Sequence, residues 1–258
     1  MHASELFDLS GKVALVTDAS SGLGERFAEV LAAHGARVVV AARRAGRLNT
    51  LVNRIAEAGG KAHAIELDVA DQGTIAGAFD AAETVFGTVT ILVNNAGVAG
   101  NRAVFDVTPD DWRKVMSVNL DGVWFVAQEA ARRMKDTGSE GNIINIASVL
   151  SFRAARTVAA YAASKGAVLQ LTRNLALEFA RYNIRVNAIA PGYILTEINR
   201  QYFESDDSAQ MIKRIPQRRI GDVSDLDGTL LLLASNKASG YMTGTTVVVD
   251  GGHLLPVD

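Results

Sequence analysis

The sequence predicts one α/β domain, a doubly wound parallel sheet of seven strands with helices on both faces, and three observations carry that prediction. Compact, continuously apolar runs recur through the 258 residues, separated by stretches whose apolar positions repeat every three to four residues. A turn of small residues joins the first apolar run to the first helical stretch. The chemically distinctive residues gather at the carboxyl ends of the runs. Unbroken apolar strands belong in a sheet covered on both faces, right-handed crossovers make it doubly wound, and ligands of such sheets bind beyond the strand carboxyl ends.

The elements follow in order. Lys12-Val-Ala-Leu-Val-Thr17 is the first strand; Asp18-Ala-Ser-Ser-Gly-Leu-Gly24 is the turn, and Phe27, Val30 and Leu31 mark a helix that Gly35 stops. Strand Arg37 to Ala42 comes at once, then helix Arg44 to Ala58, strand Lys61 to Leu67, helix Asp71 to Phe86 and strand Thr90 to Val93. A long helical stretch spans Pro109 to Met134. Strand Asn142 to Ala147, helix Tyr161 to Tyr182 and strand Ile184 to Ala190 complete the middle of the sheet. Thr196 to Gln217 is a polar insertion, long enough to predict a mobile substrate lid. Helix Val223 to Ala234 and strand Thr246 to Val249 close a single domain covering residues 1–258.

Composition removes several function classes. With 26 Lys and Arg against 28 Asp and Glu, both signs interspersed, there is no electrostatic footprint for nucleic acid or an anionic membrane. The absence of cysteine excludes disulfides and thiolate chemistry, and His2, His34, His63 and His253 lack metal-ligand spacing. No leader pattern or membrane-length apolar run is present, so a soluble cytoplasmic protein is expected.

The strand ends carry Ser20, Ser21, Gly22, Leu23 and Gly24; Ala42-Arg43; Asp68-Val69; Asn94-Asn95-Ala96-Gly97; Ser148; and Pro191-Gly192. The glycine-rich turn can present backbone N–H groups and a helix N-terminus to a pyrophosphate, or be a plain structural turn. Tyr161 and Lys165, four apart on a helix, share a face. A nearby ammonium favours the phenolate, so Tyr161 is expected to have a lowered pKa and to exchange a proton with a carbonyl or alcohol oxygen that Ser148 hydrogen-bonds. Such a pair can also be an ordinary solvated contact. Its place on the same rim as six strand-end motifs favours the chemical reading.

Together, Thr17 with Gly22-x-Gly24, Asp68-Val69, Asn94-Asn-Ala-Gly97, Val118-Asn119, Ser148, Tyr161-x-x-x-Lys165, Pro191-Gly192 and Asp250-Gly-Gly252 resemble the short-chain dehydrogenase/reductase family from Lys12 to Gly252. The resemblance extends to 3-oxoacyl-[acyl-carrier-protein] reductases and related ketone reductases. It implies a Rossmann domain with a catalytic tetrad: Tyr161 as acid/base, Ser148 orienting the substrate oxygen, Lys165 lowering the phenol pKa and holding the nicotinamide ribose, and Asn119 anchoring a relay water. It also implies that Asp68 and Val69 meet the adenine, that Asn95, Ala96 and Gly97 line the cofactor cleft, and that Ile194 and Thr196 contact the nicotinamide end. A small-molecule ketone or secondary alcohol would be the substrate, and a homotetramer the assembly.

Asp18 departs from the pattern, standing where the family has glycine directly after the threonine. It adds a Cβ and a charge near the expected pyrophosphate, which leaves a tolerated substitution, a helix-capping aspartate or a non-catalytic homologue with impaired cofactor binding. At the end of the second strand, Ala42 replaces the acidic residue that would bind the ribose hydroxyls of NAD, and Arg43-Arg44 follow. This favours NADP(H) over NAD(H), because a guanidinium can fork onto a 2′-phosphate, although two arginines can simply begin a solvated helix. An NAD-linked alcohol or sugar-alcohol dehydrogenase is the other enzymatic reading. Arg132-Arg133 reads as a solvated face or a dock for an acidic carrier protein, and Trp112, Trp124 and Phe125 as core or subunit packing. The apolar tail Val247 to Pro256 also wants a partner surface.

Overall fold

A computed structural model of the chain describes residues 2–43, 45–197, 199–203 and 208–255. Its sheet has seven parallel strands in the order β3-β2-β1-β4-β5-β6-β7: β1 Val13–Thr17, β2 Arg37–Ala42, β3 Lys61–Glu66, β4 Ile91–Asn94, β5 Gly141–Ile146, β6 Ile184–Pro191 and β7 Thr246–Val249. The helices are α1 Ala3–Leu6, α2 Gly22–Ala33, α3 Ala45–Glu57, α4 Gln72–Phe86, α5 Pro109–Met116, α6 Gly122–Asp136, α7 Ala159–Phe179, α8 Arg200–Phe203, α9 Ala209–Ile212, α10 Asp227–Ala234 and α11 Asn236–Ser239.

Strand periodicity divides the core. Ala14, Val16, Val38, Val40, Ile91 and Val93 face one side, where Phe27 and Leu31 of α2, Leu48 and Leu51 of α3 and Leu230 of α10 cover them. Leu15, Val39, Ala41, Leu92 and Ile143 face the other, against Phe79 of α4, Val126 and Met134 of α6 and Leu175 of α7. Strands this apolar on both faces can exist only in a two-sided sandwich, as the sequence predicts. The strand order reverses between β1 and β4, so a crevice opens at their carboxyl ends.

Element ends obey local chemistry. Asp71 caps α4 by accepting the Gly73 N–H, and Thr108 with Asp111 forms a reciprocal capping box ahead of Pro109 on α5. The predicted helix over 109–134 is not continuous: a π-helical segment, Ser117–Asp121, separates α5 from α6. One extra residue in that turn shifts the register of everything beyond it, and such insertions recur at functional sites.

The insertion after β6 contains the short helices α8 and α9. Its base is fastened: Asn199 accepts the Thr196 N–H and donates to the Ile194 carbonyl, while Ile215 is buried. Ile198 and 204–207 of the predicted lid lie outside the described residues, as do Arg44 and Pro256.

Arg133 is not on a solvated face. It spans α6 and α4, donating to Glu129, Glu83, Asp80 and the Ala76 carbonyl with its guanidinium 5.6 Å from the Phe79 ring. Burial opposes its charge, but the bonds to three carboxylates outweigh it and hold the pKa above the ordinary value. Its neighbour Arg132 stays exposed and pairs with Glu129 and Asp136 on the surface. Trp112 and Trp124 are exposed rather than in the core, whereas Phe125 packs against it. Among the described residues no helix is long and apolar enough to cross a membrane.

Candidate active site

Small residues and a buried polar scaffold shape the crevice at the switch point. Thr17 ends β1 with its hydroxyl turned inward, where it accepts the N–H groups of Asn95 (2.9 Å) and Ala96 (3.0 Å). The Asn95 side chain returns to the Thr17 carbonyl at 3.1 Å and the Asp18 carbonyl at 3.4 Å. Asn95, expected to line the cleft, therefore also braces the glycine turn against β4. A Cβ on Gly24 would lie 2.4 Å from the Asp18 carbonyl oxygen and 2.6 Å from Asn95 Nδ2, so only glycine fits where helix and turn meet.

Gly22 opens α2 at φ 58° with Ser21 as its N-cap, and Thr196 Cγ2 lies 3.4 Å from where a Gly22 Cβ would be. The helix N-terminus and the lid base therefore meet across the loop of Ser20 to Gly24. Asp18 adopts φ 51°, the left-handed conformation for which glycine is favoured and which aspartate tolerates better than most residues. It lines one crevice with Arg43, Asp68, Val69, Ala96 and Gly97, the residues expected around the adenosine end.

Ser148 follows β5 in extended conformation; its Oγ accepts the Leu150 N–H at 3.1 Å and starts a tight turn, Val149–Ser151. That turn is strapped to α7 by Ser151 Oγ, which donates to the Lys165 carbonyl at 2.9 Å. Tyr161 and Lys165 lie on the α7 face toward the turn. The Lys165 ammonium is buried 5.8 Å from the Tyr161 ring centroid and donates to the Ile146 carbonyl at 2.6 Å. Burial brings Lys165 down to about 8. Burial also pushes the Tyr161 phenol above its ordinary value, and the hydrogen bond with Ser148 opposes this only in part.

The expectation of a lowered phenol pKa is thus corrected in its net direction: burial raises it. Four-residue spacing places the two side chains side by side, but the ammonium points past the ring to a strand carbonyl. Desolvation then dominates both groups.

Asn119 sits fully buried in the π-helical segment. Its Oδ1 accepts the Val98 N–H at 2.8 Å, and its Nδ2 donates to the Val98 carbonyl at 3.0 Å and to Ser164 Oγ at 3.1 Å. Both amide protons are spent, so the side chain clamps the segment after Gly97 to α7. Ser164 continues the chain by donating to the Tyr161 carbonyl at 2.7 Å. A Cβ placed on Gly97 would lie 3.5 Å from Lys165 Nζ and 3.6 Å from Asn119 Oδ1, so this glycine stands where the two meet.

Beyond β6, Gly192 lies so close to β7 that a Cβ would come within 2.7 Å of Asp250 Cα. Pro191 ends the strand, and the buried Ile194 bridges to Gly221. The structure thus brings Asn119, Ser148, Tyr161 and Lys165 together beside Gly97, with Ser20 to Gly24 and Thr196 farther along the same rim.

Sequence reasoning missed the scaffold beneath. Asn94 donates to Asn145 at 3.0 Å, and Asn145 donates to Thr172 at 2.9 Å, tying β4, β5 and α7 through buried polar groups. Polar residues inside apolar strands, Asn94 and Asn145 among them, were the available signal, because buried amides must find partners. Among the described residues no cluster of His, Asp or Glu could hold a metal ion.

Residues 18–253 match the family model described as enoyl-(acyl carrier protein) reductase. The 2-dehydro-3-deoxy-D-gluconate 5-dehydrogenase of Dickeya dadantii is 40% identical over 249 residues, 96% of this chain and 97% of that protein. The NADP-dependent (R)-specific alcohol dehydrogenase of Lentilactobacillus kefiri is 37% identical over 250 residues, 95% of this chain and 97% of that protein. The structure of a gluconate 5-dehydrogenase from Burkholderia cenocepacia, in complex with NADP and tartrate, superposes with a TM-score of 0.94 at 42% identity, covering 99% of this chain and all of that one. With the glycine turn, the strand order and the Ser148, Tyr161 and Lys165 constellation in place, the matches agree: the chain belongs to the short-chain dehydrogenase/reductase family.

Proposed function

We propose that this chain is an NADP(H)-dependent oxidoreductase that interconverts a ketone and a secondary alcohol, with Tyr161 as the proton donor and acceptor. The observation that carries the reading is the meeting of Ser148, Tyr161, Lys165 and Asn119 beside Gly97, at the mouth of a crevice lined by Arg43, Asp68 and Val69. The residues present fit a dinucleotide. Gly22 and Gly24 allow backbone approach at the N-terminus of α2, and Arg43 on the crevice wall, with no acid at Ala42, suits a 2′-phosphate. The names of the relatives from L. kefiri and B. cenocepacia support the same cofactor.

Bound there, the nicotinamide supplies or accepts the hydride. The protein manages the oxygen. A phenol held above its ordinary pKa is fully protonated at neutral pH, so Tyr161 can donate to the oxygen of a ketone as it becomes an alkoxide. The single Ser148 hydroxyl proton, held on the phenol oxygen before substrate enters, turns to that oxygen as the second hydrogen bond, and the buried ammonium of Lys165 stabilises the phenolate left behind. Asn119 holds Val98 and, through Ser164, the Tyr161 backbone; a relay water would use its remaining Oδ1 lone pair or its main-chain carbonyl.

The substrate would be a medium-sized carbonyl compound, including 3-oxoacyl groups, admitted between the turn after Ser148 and the insertion from Thr196 to Gln217. Exposed Trp112, Trp124 and Leu177 support self-association, for which a tetramer is proposed. Titrating the protein with NADPH and NADH and following reduction of a ketone panel tests the reading. Tight NADPH with turnover is expected; tight NADH instead, or neither cofactor, would replace it by an NAD-linked dehydrogenase or a non-catalytic homologue.

A further inference from the structure

The turn that starts at Ser148 also carries Arg153, and its surroundings are unusual for a surface arginine. Arg153 Nη1 donates to His253 Nε2 and, at 3.2 Å, to the His253 carbonyl. Among the described residues no carboxylate pairs with Arg153, and no bond engages its Nε or Nη2. Arg102 pairs with Asp111 and Arg219 with Asp225, while Arg218, like Arg153, bonds a carbonyl. Arg153 is thus a full positive charge, oriented by two neutral acceptors, with the three N–H donors of its Nε and Nη2 uncommitted.

His253 is buried, and its ring packs 5.3 Å from that of Tyr193, which lies just past Pro191-Gly192 and itself meets Phe203 of α8 at 5.8 Å. The Arg153 contact therefore joins the turn after Ser148, the segment after β6 and the insertion, three segments expected to surround a substrate. Accepting at Nε2 leaves the ring proton on Nδ1, a buried atom with no partner among the described residues. Burial first, then the neighbouring Arg153 charge, pulls His253 below its ordinary pKa, so it stays a neutral acceptor at neutral pH. An unpartnered buried N–H is a cost that a mere chain clasp need not carry.

The geometry points to Arg153 as a specificity residue that receives the carboxylate of an oxo or hydroxy acid, with His253 as the positioning residue that aims its guanidinium. This rests on the proposed ketone–alcohol chemistry and extends it to a substrate class. A guanidinium with one edge already held presents its other edge to a carboxylate with little ordering left to do, and both carboxylate oxygens can be met at once.

The probes are 3-oxobutanoate, 4-oxopentanoate, 5-oxohexanoate and 5-keto-D-gluconate, each beside its methyl ester, which keeps the ketone and removes the charge. With NADPH, the wild type should favour at least one acid over its ester, and Arg153→Gln should raise that acid's KM about ten- to hundredfold while leaving its kcat and the ester's KM within about twofold. Arg153→Lys should recover part of the loss. His253→Phe, which keeps the ring contact with Tyr193 but not the acceptor, should lose part of the acid preference; His253→Gln should retain most of it. Calorimetric titration of the same acids into the protein repeats the comparison without turnover. Reduction of the esters but no acid preference, or equal losses on acid and ester in Arg153→Gln, would overturn the inference and leave the activity reading intact. No turnover of any probe, with acid binding that Arg153→Gln abolishes, would instead sink the activity reading and uphold the carboxylate site.

Discussion

Replacing Asp18 tests how the cofactor loop tolerates an acid where the family has glycine. Two effects are superposed there. The left-handed backbone, φ 51°, costs an aspartate on the order of 1 kcal/mol, and that cost is present with or without cofactor. Asp18 lines the crevice that also holds Arg43, so its charge bears on affinity when a pyrophosphate enters. At an effective dielectric near ~20 and a separation of ~7 Å, like charges cost on the order of 2 kcal/mol before salt screening. That corresponds to a factor of roughly thirty in affinity. Asp18→Asn keeps the tolerance for left-handed backbone and removes the charge; Asp18→Gly removes both. Both variants should bind NADPH about thirtyfold more tightly than the wild type at low salt, with the gap closing as ionic strength rises, and with turnover at saturation nearly unchanged. Fluorescence titration of NADPH at several salt concentrations reads this directly. Equal affinity of wild type and Asp18→Asn at low salt would refute the charge argument, and a gain confined to Asp18→Gly would assign the effect to the bulk of the side chain.

Three further outcomes follow from the geometry. Lys165→Met should abolish turnover yet raise stability at pH 7 by about 1–2 kcal/mol, since a shift from 10.5 to about 8 costs ~3 kcal/mol and the lost bond to Ile146 offsets part of it. The folded pKa lies below the unfolded one, so wild-type stability relative to Lys165→Met should climb between about pH 8 and 10.5; parallel denaturation curves across that window would contradict it. Arg133→Met should cost about 2–4 kcal/mol by leaving Glu83 and Asp80 without their cation and Glu129 with Arg132 alone, lowering the melting temperature by about 5–10 °C while NADPH affinity holds. Gly97→Ala adds a methyl at ordinary contact distance from Lys165, so it should fold normally and lose cofactor affinity, whereas Gly24→Ala, whose Cβ meets backbone at 2.4 Å, should lose stability as well.

The fold was readable because largely apolar strands and helical stretches alternate through most of the chain, and β2 and β7 begin and end where the pattern says. The break at Ser117–Asp121 was not readable, since one extra residue in a helical turn leaves the apolar spacing nearly unchanged. Spacing placed Tyr161 and Lys165 on one face correctly. It could not say that both would be desolvated or that the ammonium would reach for Ile146, and so it gave the wrong direction for the phenol. Arg133 was misread for a similar reason: the run Arg132-Arg133 looks solvated in one dimension, and only the packing of α4 on α6 turns the second guanidinium inward. The contact of Arg153 with His253 joins residues a hundred positions apart, beyond the reach of any local pattern.

The measurement that bears most directly on the proposed chemistry is the comparison of wild type with Tyr161→Phe, in NADPH binding and in ketone reduction on the same preparation. Phenylalanine keeps the ring beside Lys165 and removes the only proton that the ring can transfer. Cofactor affinity should stay within about twofold while turnover falls by about a hundredfold or more, the usual worth of a positioned proton donor. Near-native turnover in Tyr161→Phe would contradict the assignment of Tyr161 as the acid and base.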